Sequence, residues 1–208
     1  MNFPFTREQF LDVFKDYNLN VWPMQVILLI LALVMIFVSI KRNKYSDRII
    51  TFGLSFLWLW IGIGYHLMFF SRINKAAYFF AVLFIIQAIL FFYYGSIKND
   101  LEFNYMNNLK GVIVILFFLY ALIVYPLLGF QLRHYYPRTP TFGLPCPTTI
   151  FTFGILLTLE KPIKVLFTIP MLWAIIGFTA ALKLGIYEDI GLLISAVLTI
   201  GSLSLFNK

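Results

Sequence analysis

The chain has 208 residues, of which 61% are hydrophobic and only 12% charged, so a soluble domain could not hide its apolar surface. Apolar windows of about 20 residues recur along it, which makes the class an all-α, polytopic transmembrane helical bundle with the lipid bilayer as its first partner. The net charge of +7 is scattered through the connections, where anionic headgroups attract it, and is no nucleic-acid signature; the single cysteine excludes an internal disulfide and a multi-cysteine metal cluster.

The amino terminus, "MNFPFTREQF", has neither the basic start nor the cleavage pattern of a removed signal. Thr6 followed by Gln9 reads as a capping box that opens a helix over residues 6–17. Phe10, Val13 and Phe14 fall together at helical spacing, with most charges elsewhere, as in an amphipathic helix lying in the membrane interface.

Seven apolar segments follow within a single membrane domain. The first covers residues 21–40, with Trp22 and Pro23 at its mouth, and the second covers 49–70. The third covers 76–94 and carries a lone Gln87, expected to hydrogen-bond across helices; the fourth covers 111–128. The fifth, 147–159, is short. The sixth, 163–184, contains Pro170, and the seventh, 190–206, carries Gly191, Ser195, Thr199 and Ser202 along one stripe, as in helix packing. Glu160 and Lys161 read as an interfacial turn ahead of Pro162. No internal repeat points to an inverted-repeat architecture.

Alternate connections divide the basic residues. Arg7, Lys15, Arg72, Lys75, Arg133, Arg138 and Lys183 fall on one side; Lys41, Arg42, Lys44, Arg48, Lys98, Lys110, Lys161, Lys164 and Lys208 fall on the other. The second group is larger and includes the dense "KRNKYSDR" run, which places the amino terminus outside and the carboxyl terminus inside.

The stretch "GFQLRHYYPRTPTFGLPCPTTIFTFG", residues 129–154, holds His134, Cys146 and a run of prolines. A fifth helix beginning at Pro147 is too short to cross the hydrocarbon, so "TFGLPCP" must supply the missing depth as irregular backbone. Such backbone is tolerated only where protein buries it or where it lines a wet cavity. In the second case the amides near Thr148 and Thr149 point into the cavity and attract an anionic or polar group. In the first, the loop simply packs down and closes the bundle.

On the second segment Ser55, Trp58, Gly62 and His66 share a face, with Gly62 admitting a neighbouring backbone. His66, His134 and Cys146 all lie toward the outer side. Two imidazoles and a thiolate suit a soft or borderline metal, and the two imidazoles suit a haem; hydrogen-bonded structural histidines are the plainer alternative. Cys146 at a helix start could be a nucleophile. Residues 103–159 hold no Asp or Glu to orient a histidine, which argues against a triad and against an enzyme. The first four spans have no ionisable group at their centres, which argues against a carboxylate-driven pump.

Three pieces, "PFTREQFLDVFKDYNLNVWP", "WIGIGYHLMFFSRINKAAYFF" and "YPLLGFQLRHYYPRTPTFGLPCPTTIFTFGILL", cover most of the chain. Through their YHxxFFxxINxAA and PxFGxPCPTTIFTxG patterns the sequence resembles a bacterial family of multi-pass membrane proteins known only as a domain of unknown function. The resemblance implies a shared helical fold in a bacterial inner membrane and supplies no activity or cofactor. It directs attention to Trp58, His66, His134, Pro145, Cys146, Pro147, Thr148 and Thr149.

The function expected from these features is transport or channelling of a small solute or ion. It would pass through an outer-facing cavity between spans two, four and five, with Trp58, His66, His134, Cys146, Thr148 and Thr149 as contacts. The alternatives are a metal- or haem-binding redox or sensor component, with His66, His134 and Cys146 as ligands, and a structural or partner-binding subunit.

Overall fold

A computed structural model describes residues 4–206, and among these the secondary structure is helical, with two isolated bridges and no strand. Eight helices follow in order: α1 (Arg7–Asn20), α2 (Met24–Ile40), α3 (Ser46–Arg72), α4 (Ala76–Ile97), α5 (Leu109–Gln131), α6 (Pro145–Leu157), α7 (Val165–Leu184) and α8 (Ile190–Phe206). The seven expected apolar segments are α2 to α8.

Five stretches are long and apolar enough to cross a membrane: Ser46–Arg72, Ala76–Ile97, Leu109–Gln131, Val165–Leu184 and Tyr187–Leu205. A sixth is counted if α1 and α2, bent by 84° at their junction, form one broken span. The outer surface agrees, since Phe37, Phe52, Phe79, Ile123 and Val197 are all large, apolar and exposed. A surface of this kind is stable against hydrocarbon and unstable against water.

α1 starts where expected, with Thr6 and Gln9 forming the reciprocal capping box. It lies across one end of the bundle. Phe10 packs against Phe70 and Phe14 against Tyr65, both on α3, so protein takes up much of the apolar face of α1.

α6 is the centre of the fold. It packs against α5, α7 and α8, and all of its residues but Cys146 are buried. Four hydroxyls can be buried in this part of the chain because three of them bond to nearby backbone carbonyls. Thr149 donates to Pro145 O at 2.7 Å, Thr152 to Thr148 O at 2.8 Å and Thr158 to Ile155 O at 2.7 Å. The fourth, Thr148, accepts from the Gly143 amide. Trp58 on α3 adds a cross-helix bond, its indole donating to Thr152 Oγ1 at 3.0 Å. Gln87 makes the bond between helices that its position demanded, donating to Leu166 O on α7 at 3.0 Å.

The connections sort onto two ends, as the alternation of segments requires. At one end Arg42 joins Asp47 and Glu160, and Asn104 also reaches Glu160. At the other, Arg138 pairs with Asp12, and Arg72 lies near Asp16. Lys208, assigned to the first of these ends, lies outside the described residues. Lys110, also assigned there, is buried in the first turn of α5.

Gly154 admits a close α5–α6 contact, since an added Cβ would stand 2.6 Å from the Phe118 ring. Because that ring is itself buried, Gly154→Leu is expected to destabilise the bundle by about 1–3 kcal/mol through overpacking. A lowered melting temperature in detergent would report it, with Gly201→Leu, where space is open, as the control.

Candidate functional site

The site forms where the chain descends from the end of α5 to the start of α6. α6 begins at Pro145, two residues before the expected Pro147, with Leu144 as its extended N-cap. Proline tolerates the first turn because its missing N–H would find no helical partner there. Gly143 adopts a positive φ of 96°, letting the backbone turn beneath Leu28 and Tyr17.

α1 holds this descending loop in place. Asn18, fully buried, donates from Nδ2 to Pro137 O at 2.7 Å and Thr139 O at 2.8 Å, and its Oδ1 accepts from Thr141 at 2.8 Å. Gln25 donates to the Asn18 carbonyl at 2.7 Å. Tyr17 donates to Gly143 O at 3.4 Å and accepts from the Trp60 indole at 2.8 Å. Burial pushes the Tyr17 phenol well above its ordinary range, so it keeps the proton it donates.

A polar chain runs inward from the same end. Arg7 donates to His134 Nε2 at 2.9 Å, and His134 Nδ1 lies 2.8 Å from Glu188 Oε1. Arginine is only a donor, so Nε2 presents its lone pair and Nδ1 carries the hydrogen given to Glu188. Next to Glu188, Asp189 accepts from the Tyr125 hydroxyl, with the Cys146 thiol beside it. Tyr120 donates to the Glu188 backbone carbonyl at 2.8 Å.

The two tyrosines reach one turn because residues 120–124 are π-helical. In an α-helix residues five apart point about 140° apart. The wider turn brings them nearer the same face and also relieves Pro126, which cannot donate to the preceding turn. A second π-helical segment, residues 61–67 of α3, turns both Tyr65 and His66 inward.

A cavity of about 100 Å³ opens at the first turn of α6. Its walls include Phe5, Phe10, Phe14, Tyr65, Phe70, Phe80, Tyr125 and Trp173, with Cys146 and Asp189 among its few polar groups. It therefore draws on α1, α4 and α7 in addition to the expected spans two, four and five.

The residues singled out from sequence separate into different settings. Cys146 lines the cavity. His66 lies behind it, against Trp173 at 5.2 Å and Phe84 at 4.8 Å between ring centroids, with no hydrogen-bond partner for either ring nitrogen. His134 sits at the outer end of the polar chain, Trp58 is bonded deeper on α6, and Thr148 and Thr149 are wholly buried. The amides expected to face the cavity do not form an anion cradle. Thr148 N is bonded to Leu144 O at 3.3 Å, and Pro145 and Pro147 have no N–H.

His134 does have a carboxylate beside it, supplied by Glu188 from beyond α7, although residues 103–159 hold none. Among the described residues, no three His, Cys, Asp or Glu side chains form a group that could hold a metal. The Glu188–Asp189 pair escaped notice because "GIYEDIG" between two apolar segments reads as an ordinary interfacial connection. The available signal was Gly185, which ends α7 in a left-handed turn (φ 70°) and redirects the chain just ahead of the acids.

Asn18→Ala would leave two part-buried carbonyls and the Thr141 hydroxyl without the partners they have on Asn18. It should destabilise the protein by about 2 kcal/mol or more. It should also speed labelling of Cys146 by a thiol reagent, because the loop above that residue loses its tie. An unchanged melting temperature and labelling rate would show that Asn18 holds nothing. His66→Phe, by contrast, replaces an unpartnered polar ring among aromatics and should leave the melting temperature level or raise it.

No curated protein and no solved structure matched the chain. A family model did, across residues 7–207, nearly the whole length and every element of the site. The chain belongs to DUF6064, a family of unknown function.

Proposed function

We propose that this protein admits a small solute or ion from one side of the membrane into the cavity at the start of α6, as part of transport or channelling. The observation that carries this reading is the setting of the cavity. It opens where a helix too short to span begins, and its walls include two polar side chains that meet each other, Cys146 and Asp189. Irregular backbone at depth beside a cavity is the pattern of solute sites in membrane proteins. In this reading the protein sits in a bacterial inner membrane with α1 and the 132–144 loop outside and the 98–108 loop inside. The basic residues of the connections support that orientation.

Cys146 gives a direct test, being the chain's one thiol and part of the cavity wall. A charged, water-soluble methanethiosulfonate added to the outside of intact spheroplasts should modify it. The same reagent should fail on Cys146→Ser. If Cys146 reacts only after denaturation, the cavity is closed to water and the transport reading fails. Reaction only from the cytoplasmic side would keep the cavity and reverse the orientation.

A further inference from the structure

We infer that the cavity at the start of α6 is a binding site for a small organic cation of the alkylammonium class carrying a hydroxyl or carbonyl oxygen, held in an aromatic cage with Asp189 as its counter-ion. This deepens the transport reading and rests on its cavity.

Asp189 is buried and accepts from a neutral donor, the Tyr125 hydroxyl, with the neutral Cys146 thiol beside it. It makes no ion pair among the described residues. Glu188, its neighbour in sequence, is matched through His134 to Arg7. Of these two carboxylates, the one that the described ion pairs leave unmatched is the one in the cavity wall. None of the described residues that line the cavity is Lys, Arg or His. Buried charges in proteins are normally matched by a partner, and here the cavity stands where the partner would be.

The wall then selects the kind of cation. Phe10, Phe14, Tyr65, Phe80 and Trp173 offer ring surface on several sides. Aromatic faces attract a diffuse, weakly hydrated ammonium and do nothing for a carboxylate or phosphate. The first turn of α6 reinforces this choice. Prolines at 145 and 147 remove two of the amides that would otherwise draw an anion to the helix start. A small hydrated metal ion is poorly served, because the walls offer few oxygen ligands.

A further polar group asks for an oxygen. The buried Trp173 indole N–H has only the Cys146 sulfur, a weak acceptor, beside it and no oxygen partner among the described residues. A Cβ built on Gly177, another wall residue, would stand 3.7 Å from that nitrogen and 3.4 Å from Cys146 Sγ. The indole and the thiol thus border the same space. A hydroxyl or carbonyl on the cation would meet the indole while the ammonium meets Asp189.

Choline, tetramethylammonium and dimethylbutanol (choline with carbon in place of nitrogen) separate charge from shape. With the purified full chain in mild detergent, two readouts are followed: protection of Cys146 from alkylation and the rise in melting temperature. Choline should bind about tenfold tighter than dimethylbutanol, the order expected of a desolvated cation–aromatic site. Tetramethylammonium, lacking the oxygen, should fall between them. Asp189→Asn should abolish the preference for choline over dimethylbutanol, judged by the ratio of labelling rates with and without probe. Trp173→Phe should narrow the gap between choline and tetramethylammonium.

Equal effects of choline and dimethylbutanol would overturn the inference in favour of a purely apolar pocket. A stronger effect of the matched anion, dimethylbutyrate, would reverse its sign. A reactive Cys146 that no probe protects, with no shift in melting temperature, would also overturn it while leaving the solute-access reading intact. An unreactive Cys146 would sink that reading, and the melting-temperature comparison on the unmodified chain would still decide the present one.

Discussion

A helix of thirteen residues buried on nearly every side is the constraint from which the rest of this structure follows. α6 rises about 20 Å, short of the hydrocarbon thickness, and neither lipid nor buried protein can hydrate the backbone at its ends. Both ends must be closed by other parts of the chain. At the carboxyl end the 98–108 loop does this, with Asn104 N on Thr158 O at 2.7 Å and Glu160 N on Glu102 O at 3.0 Å. At the amino end the descending loop is held by Asn18, and the prolines remove donors that would otherwise need partners. The two closures differ in kind. One is backbone against backbone; the other depends on a side chain of a helix that lies across the bundle.

That difference explains why chemistry gathers at one end. Side-chain closure leaves gaps between the rings of α1, α3 and α7, and the Glu188–Asp189 turn reaches them from behind. The acids are held by groups from three other elements: Arg7 from α1, Tyr120 and Tyr125 from α5, and His134 from the loop after α5. Gly185 lets this happen, because the chain turns there at a φ of 70°, a conformation that residues with a side chain rarely adopt.

The architecture was legible in the sequence because it rests on continuous apolar length, which the bilayer demands and composition displays. The capping box at Thr6 and Gln9, the cross-helix bond of Gln87 and the shortness of the fifth segment were legible for the same reason, since each follows from local residue type. The site was only partly so. Cys146 was placed by its prolines, whereas Asp189 was not, because an acid at the mouth of a span looks the same whether it faces water or the bundle. His66 shows the opposite failure. A lone histidine in an apolar span suggests a polar role, yet its neighbours are aromatic rings from α3, α4 and α7, a convergence that no local pattern encodes.

The π-helical turn at residues 120–124 carries a consequence for how this chain can vary. Such a turn is, in effect, one residue too many for the helix around it, and its hydrogen bonds are poorer than those of an α-helix. Deleting any one of those residues would let the turn tighten and improve the backbone of α5. It would also swing Tyr125 and everything after it by about 100°, away from Asp189. The span keeps a weaker backbone at this point so that two hydroxyls five residues apart can serve one acidic turn. Its length there is fixed by what the far side of the bundle needs to be met with, and not by the thickness of the membrane.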